Sequence, residues 1–80
     1  MSEEIGRPLK VTELKPETVV LIGRNGVLSS VWVVGVMPTL VEFYSGTIGL
    51  TFFARRTGPD LESLEDPKGP LELLEYLGEI

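Results

Sequence analysis

The sequence predicts a mainly β fold: a small, curled antiparallel meander of four to five short strands that closes toward a barrel. Three observations carry this. Two apolar runs, residues 18–22 and 31–36, flank the pair Asn25-Gly26. Both residues of that pair tolerate the positive φ of a type I′ turn, so the stretch reads as a hairpin. Two further β-rich runs, residues 40–44 and 47–56, flank Ser45-Gly46. Proline and glycine then punctuate the chain at the spacing of short strands rather than of helices.

Taken in order, residues 1–8 are polar, end in Gly6-Arg7-Pro8, and read as a loose N-terminus. Residues 9–14 suit a short edge strand. Lys15-Pro16-Glu17-Thr18 reads as a turn with Pro16 presetting φ at its second position. The hairpin follows, and a two-residue Asn25-Gly26 loop pairs Arg24 with Val27, Ile22 with Ser29 and Val19 with Trp32. Pro38 cannot donate to a ladder and belongs in a connection. A two-residue Pro38-Thr39 loop pairs Val36 with Val41 and Val34 with Phe43. A two-residue Ser45-Gly46 loop pairs Phe43 with Ile48 and Val41 with Leu50.

These registers place Val19, Leu21, Leu28, Trp32, Val34, Val36, Val41, Phe43, Ile48, Leu50, Phe52 and Ala54 on one face, the expected core. The opposite face is mixed. It carries Arg24, Ser29, Glu42, Thr47, Thr51 and Arg55 beside Val20, Ile22, Val31, Val33, Leu40, Tyr44 and Phe53. So many large apolar groups imply a cover, which makes Val20, Ile22, Val31, Val33, Tyr44 and Phe53 the expected interface.

Residues 57–70 read as an acidic loop containing proline and glycine, with one helical turn over 60–66. Residues 71–80 are a short helix or a closing strand. A helical wheel gathers Glu72, Glu75 and Glu79 opposite Leu71, Leu73, Leu74, Leu77 and Ile80, and favours the helix. The strand alternative needs a bulge at Leu73-Leu74. The whole chain, 1–80, is expected to be one domain. Its likeness to an SH3-like-type barrel lies in strand count and length alone, and such folds host unrelated functions.

Composition narrows the chemistry. The 80 residues hold no cysteine and no histidine. Disulfides, a thiol nucleophile, the commonest metal ligand and the commonest neutral-pH base are therefore absent. Five serines lack an activating partner, and Lys10, Lys15 and Lys68 sit among polar residues where lysine stays protonated. Gly23-Arg24-Asn25-Gly26 lacks phosphate-loop spacing. Asp60, Glu62, Glu65 and Asp66 lack the spacing of a calcium loop. Glu42 lies mid-strand and reads as a surface charge near Arg24 or Arg55. We expect no enzyme, metal or cofactor.

The net charge of −5 resides in the last third: residues 1–56 balance at +1 and residues 57–80 at −6. That distribution disfavours nucleic acid, whose phosphates supply most binding energy. No run reaches the ~20 apolar residues of a membrane span. The acidic start, Met1-Ser2-Glu3-Glu4, is unlike a secretory signal, and the expected location is cytoplasmic.

Three functions compete. The leading one is a non-enzymatic binding or assembly module, self-associating through an apolar sheet face. The second is an acidic decoy or inhibitor, with Asp60, Glu62, Glu65, Asp66, Glu72 and Glu75 contacting a basic partner. The third is a weak single-stranded nucleic-acid binder using Arg24, Arg55, Arg56, Tyr44 and Phe53.

Overall fold

The Asn25-Gly26 turn forms as its chemistry requires, with φ of 52° and 80°. It joins β1 (Thr18–Arg24) to β2 (Val27–Val36) in the computed structural model, which describes residues 5–79. The chain continues through β3 (Leu40–Ser45), β4 (Leu50–Thr57), β5 (Ser63–Asp66) and β6 (Gly69–Glu79). All neighbours are antiparallel, and β6 returns to β1 to close a six-stranded barrel. Among the described residues no helix is long and apolar enough to cross a membrane.

The β1–β2 register runs from Arg24↔Val27 to Thr18↔Val33, as a two-residue loop dictates. The faces are nevertheless the reverse of the expected ones. Val20, Ile22, Val31 and Val33 are buried in the barrel, whereas Trp32 and Val34 are each 45% exposed.

The cause lies one hairpin later. Met37 N–H donates to Leu40 C=O at 2.8 Å, and Val36 pairs with Val41 around Pro38-Thr39 as expected. Phe43 then pairs with Val33 rather than Val34, because the register slips between Val33 and Gly35. The extra residue is a β-bulge, and one inserted residue exchanges the two sides of a strand. Phe43 points into the barrel, so Val31 and Val33 point inward with it and Trp32 points out.

The β3–β4 connection is also longer than a two-residue loop. Ser45 pairs with Leu50, and Gly49, at φ 68°, donates its N–H to Ser45 C=O at 2.8 Å. Phe43 therefore faces Phe52 instead of Ile48. The shift of four residues is even, so Val41, Phe43, Phe52 and Ala54 keep the same side. Ile48 and Leu50 fall at the exposed rim, not in the core.

Residues 63–66 form β5 and not a helical turn, and residues 69–79 form the closing strand and not a helix. A helix over 71–79 would cover one apolar stripe but leave the edge of β1 unpaired. As a strand, β6 pairs with β1 from Glu72 to Glu79 and removes that edge. Register shifts at Leu74 and Leu77 accommodate the adjacent leucines and turn Leu71, Leu73 and Tyr76 inward.

Of the expected loose N-terminus, residues 1–4 lie outside the described residues, and residues 6–8 are tethered rather than loose. Gly6 N–H donates to Tyr76 C=O at 2.6 Å, Tyr76 N–H donates to Arg7 C=O at 2.9 Å, and Pro8 bridges to Glu75. This arm occupies the β6 edge that the short β5 leaves open. Residues 9–14 form no edge strand. A 3-10 turn (Val11–Glu13) follows the arm, and Leu9, Val11 and Leu14 are buried with the barrel core. Lys10 N–H donates to Glu13 Oε1 at 2.9 Å, and Arg7 Nη1 lies 3.5 Å from Glu13 Oε2. These contacts, the Lys10 bond foremost, hold the Glu13 carboxyl below the usual glutamate range.

The deepest side chains are Phe43, Val20, Val31, Val33 and Val41. Phe43→Ala should therefore lower the unfolding free energy by about 3–5 kcal/mol. Trp32→Thr, on the outside, should cost less than about 1 kcal/mol. Paired denaturant titrations test this order, and the reverse order would contradict the observed faces.

Candidate functional site

Inversion of the faces builds an apolar surface on the outside of β2, β3 and β4. Trp32 has Val19 opposite it on β1 and Tyr44 opposite it on β3. The Trp32 and Tyr44 ring centroids are 5.4 Å apart at 40°, a tilted aromatic pair. Tyr44 faces Thr51 on β4, and one step along, Glu42 faces Phe53. Phe53 is thus a diagonal neighbour of Tyr44 on the same face, within reach of a long side chain. Val34, pushed out by the bulge, adjoins Trp32. Phe53 is 49% exposed, close to the values for Trp32 and Val34. Leu28, Ile48 and Leu50 extend the exposed apolar groups toward the hairpin end of the barrel.

Of the six residues expected at an interface, only Tyr44 and Phe53 lie on this surface. Val20, Ile22, Val31 and Val33 are core, displaced there by the single-residue slip at Val34. Trp32 and Val34 take their place. Gly35 was the available signal, since a glycine inside a strand pattern often marks a bulge.

The arginines are engaged within the chain. Arg24 ends β1 on the inward side and forms an ion pair with Asp66 at the end of β5. Asp66 Oδ1 also accepts the Lys68 N–H at 2.8 Å, while Arg24 Nε is buried with no hydrogen-bond partner. Arg55 Nη2 lies 3.5 Å from Glu65 Oε1. Arg56 donates to the carbonyls of Leu61 at 3.1 Å and Met37 at 3.3 Å. Neither Arg24 nor Arg56 is therefore presented to a ligand beside Tyr44 and Phe53.

The six carboxylates are divided similarly. Glu65 and Asp66 are committed to Arg55 and Arg24, and Glu62 accepts from Thr12 Oγ1 at 3.4 Å. Asp60, Glu72 and Glu75 are exposed. Among the described residues no group of three or more acidic, histidine or cysteine side chains could hold a metal ion.

Two concavities flank β5. One, of about 520 Å³, lies where β5 and β6 separate, with Leu9, Val11, Leu64 and Leu71 beneath and Lys10, Glu62 and Glu72 at its rim. The other, of about 540 Å³, lies beside β4 and is lined by Phe53, Arg55, Glu65, Asp66, Pro67 and Gly69. Comparison of the chain with family models, with curated proteins and with solved structures found no match.

The Arg24–Asp66 pair locks the hairpin end of the barrel from inside. Asp66→Asn would leave a guanidinium with 26% side-chain exposure short of its counter-charge. The loss expected in chemical denaturation is about 1.5–3 kcal/mol, the range for a hydrogen bond to a charged group. A variant as stable as the parent would show that the pair contributes little.

Proposed function

We propose that this chain is a non-enzymatic assembly module that self-associates through the exposed apolar surface of β2–β4, with Phe53 central to the contact. The observation that supports it is the trio Trp32, Val34 and Phe53, each close to half exposed on one sheet face beside Tyr44. Trp, Tyr and Phe are the residues enriched at interface centres. Burying such surface is favourable at about 25 cal/mol per Å² of apolar area. Glu42 is the only charged residue within the β3 and β4 pairs that form the surface, Arg55 lying at its margin. Two copies of an acidic chain can meet there with little mutual repulsion.

Sedimentation equilibrium from low to high micromolar concentration tests the proposal. The parent chain should pass from monomer toward dimer. Phe53→Ser should weaken association about tenfold or more, as expected for an aromatic at the centre of a contact. A monomer across the whole range would overturn the proposal.

A further inference from the structure

The barrel closes on the β4 side over only three pairs: Arg55↔Glu65, Arg56↔Leu64 and Thr57↔Ser63. Against β3, β4 pairs along its length from Leu50 to Arg55. Arg56 N–H donates to Thr39 C=O at 2.8 Å, which fixes the direction of its main-chain groups toward β3. In an antiparallel strand those groups alternate from side to side. The N–H and C=O of Thr51 and Phe53 therefore point away from β3, and among the described residues they have no ladder partner.

Such a row is a template for another strand, and proteins usually guard it with charge, proline or a bulge. Residues 46–54 contain no charged residue and no proline. Ile48, Leu50 and Phe53 are all exposed there. The 540 Å³ concavity beside Phe53 and Pro67 marks where β5 turns away and the edge of β4 becomes accessible.

We propose that the β4 edge is the contact itself, and that its occupant is β4 of a second copy, paired antiparallel across a two-fold axis. This rests on the self-association reading above and places the contact at the strand edge beside the apolar face rather than across the face itself. Identical strands pair antiparallel through an isologous contact, in which each supplies the same groups to the other. The neutral stretch meets its copy without like-charge repulsion, although the chain as a whole carries −5. β5 runs alongside β4 to the level of Arg55 and continues to Asp66, so the incoming strand has room from Phe53 toward Gly49. A two-fold axis beside Thr51 satisfies that limit. It sets Thr51 against the second copy's Thr51 and aims the Phe53 N–H at the C=O of the second copy's Gly49, whose own N–H stays with Ser45 and which has no side chain to obstruct the ring. The two outer surfaces then merge into one sheet across the junction.

Amide hydrogen exchange on the full chain, read residue by residue at low and high concentration, tests the pairing. The Thr51 and Phe53 amides should exchange freely when dilute and slow about tenfold or more when concentrated, as newly bonded N–H groups do. Thr51→Pro removes an outward N–H without removing a bond to β3. It should yield a monomer by sedimentation with an unchanged far-ultraviolet dichroism spectrum. Association with both amides still exchanging freely would overturn the edge pairing and leave association through the face standing. Absence of any association in the parent chain would overturn both.

Discussion

Between Val33 and Gly35, β2 holds one residue more than β3 can pair. The rest of the molecule follows from that insertion. Up to Val33 the inward set is Val31 and Val33, opposite Val20 and Thr18 of β1. Beyond it Val36 returns inward to meet Val41. Phe43 enters the barrel against Val33 and Phe52, with Phe43 and Phe52 ring centroids 5.5 Å apart. The same insertion turns Trp32, Val34 and Gly35 outward together. Core and exposed apolar surface are therefore two consequences of one backbone irregularity.

Closure is the second constraint. A chain of 80 residues without disulfides buries a modest share of its surface, and open strand edges would forfeit part of that. β6 satisfies β1 through two further bulges. The arm at residues 6–8 extends the sheet where β5 ends, and Leu9, Val11 and Leu14 complete the core. The Arg24–Asp66 pair fastens β1 to β5 at the hairpin end. Each device relieves the geometric demand of bending a short sheet through a full turn. Among the described residues the edge of β4 from Thr51 to Phe53 is left without a ladder partner, as is the edge of β2 ahead of Trp32 on the β3 side.

Two of the three hairpin turns were legible in the sequence, while the connection at Ser45-Gly46 is four residues long rather than two. Asn25-Gly26 and Pro38-Thr39 form the loops their residues imply, and the β1–β2 register is the one those residues dictate. What alternation alone could not supply was its phase. A period of two carries no memory across an inserted residue, and Val34 is indistinguishable by type from its neighbours. Gly35 and Gly78 were the marks available, and both lie next to bulges. The end of the chain misled for a related reason: Leu73-Leu74 breaks a strand pattern but fits a helical wheel, and only the need to cover β1 decides between them. Of the surface, Tyr44 and Phe53 could be read directly, because they sit on β3 and β4, where the predicted side held. Trp32 could not, because its side depended on the bulge.

Trp32 is the only tryptophan, so its fluorescence reports directly on which face of the hairpin is core. At concentrations too low for the proposed association, the inverted hairpin predicts red-shifted emission that iodide and acrylamide both quench readily. Blue-shifted emission protected from both quenchers would place Trp32 inside the barrel. It would contradict the bulge at Val34 and, with it, the surface on which the proposed association depends.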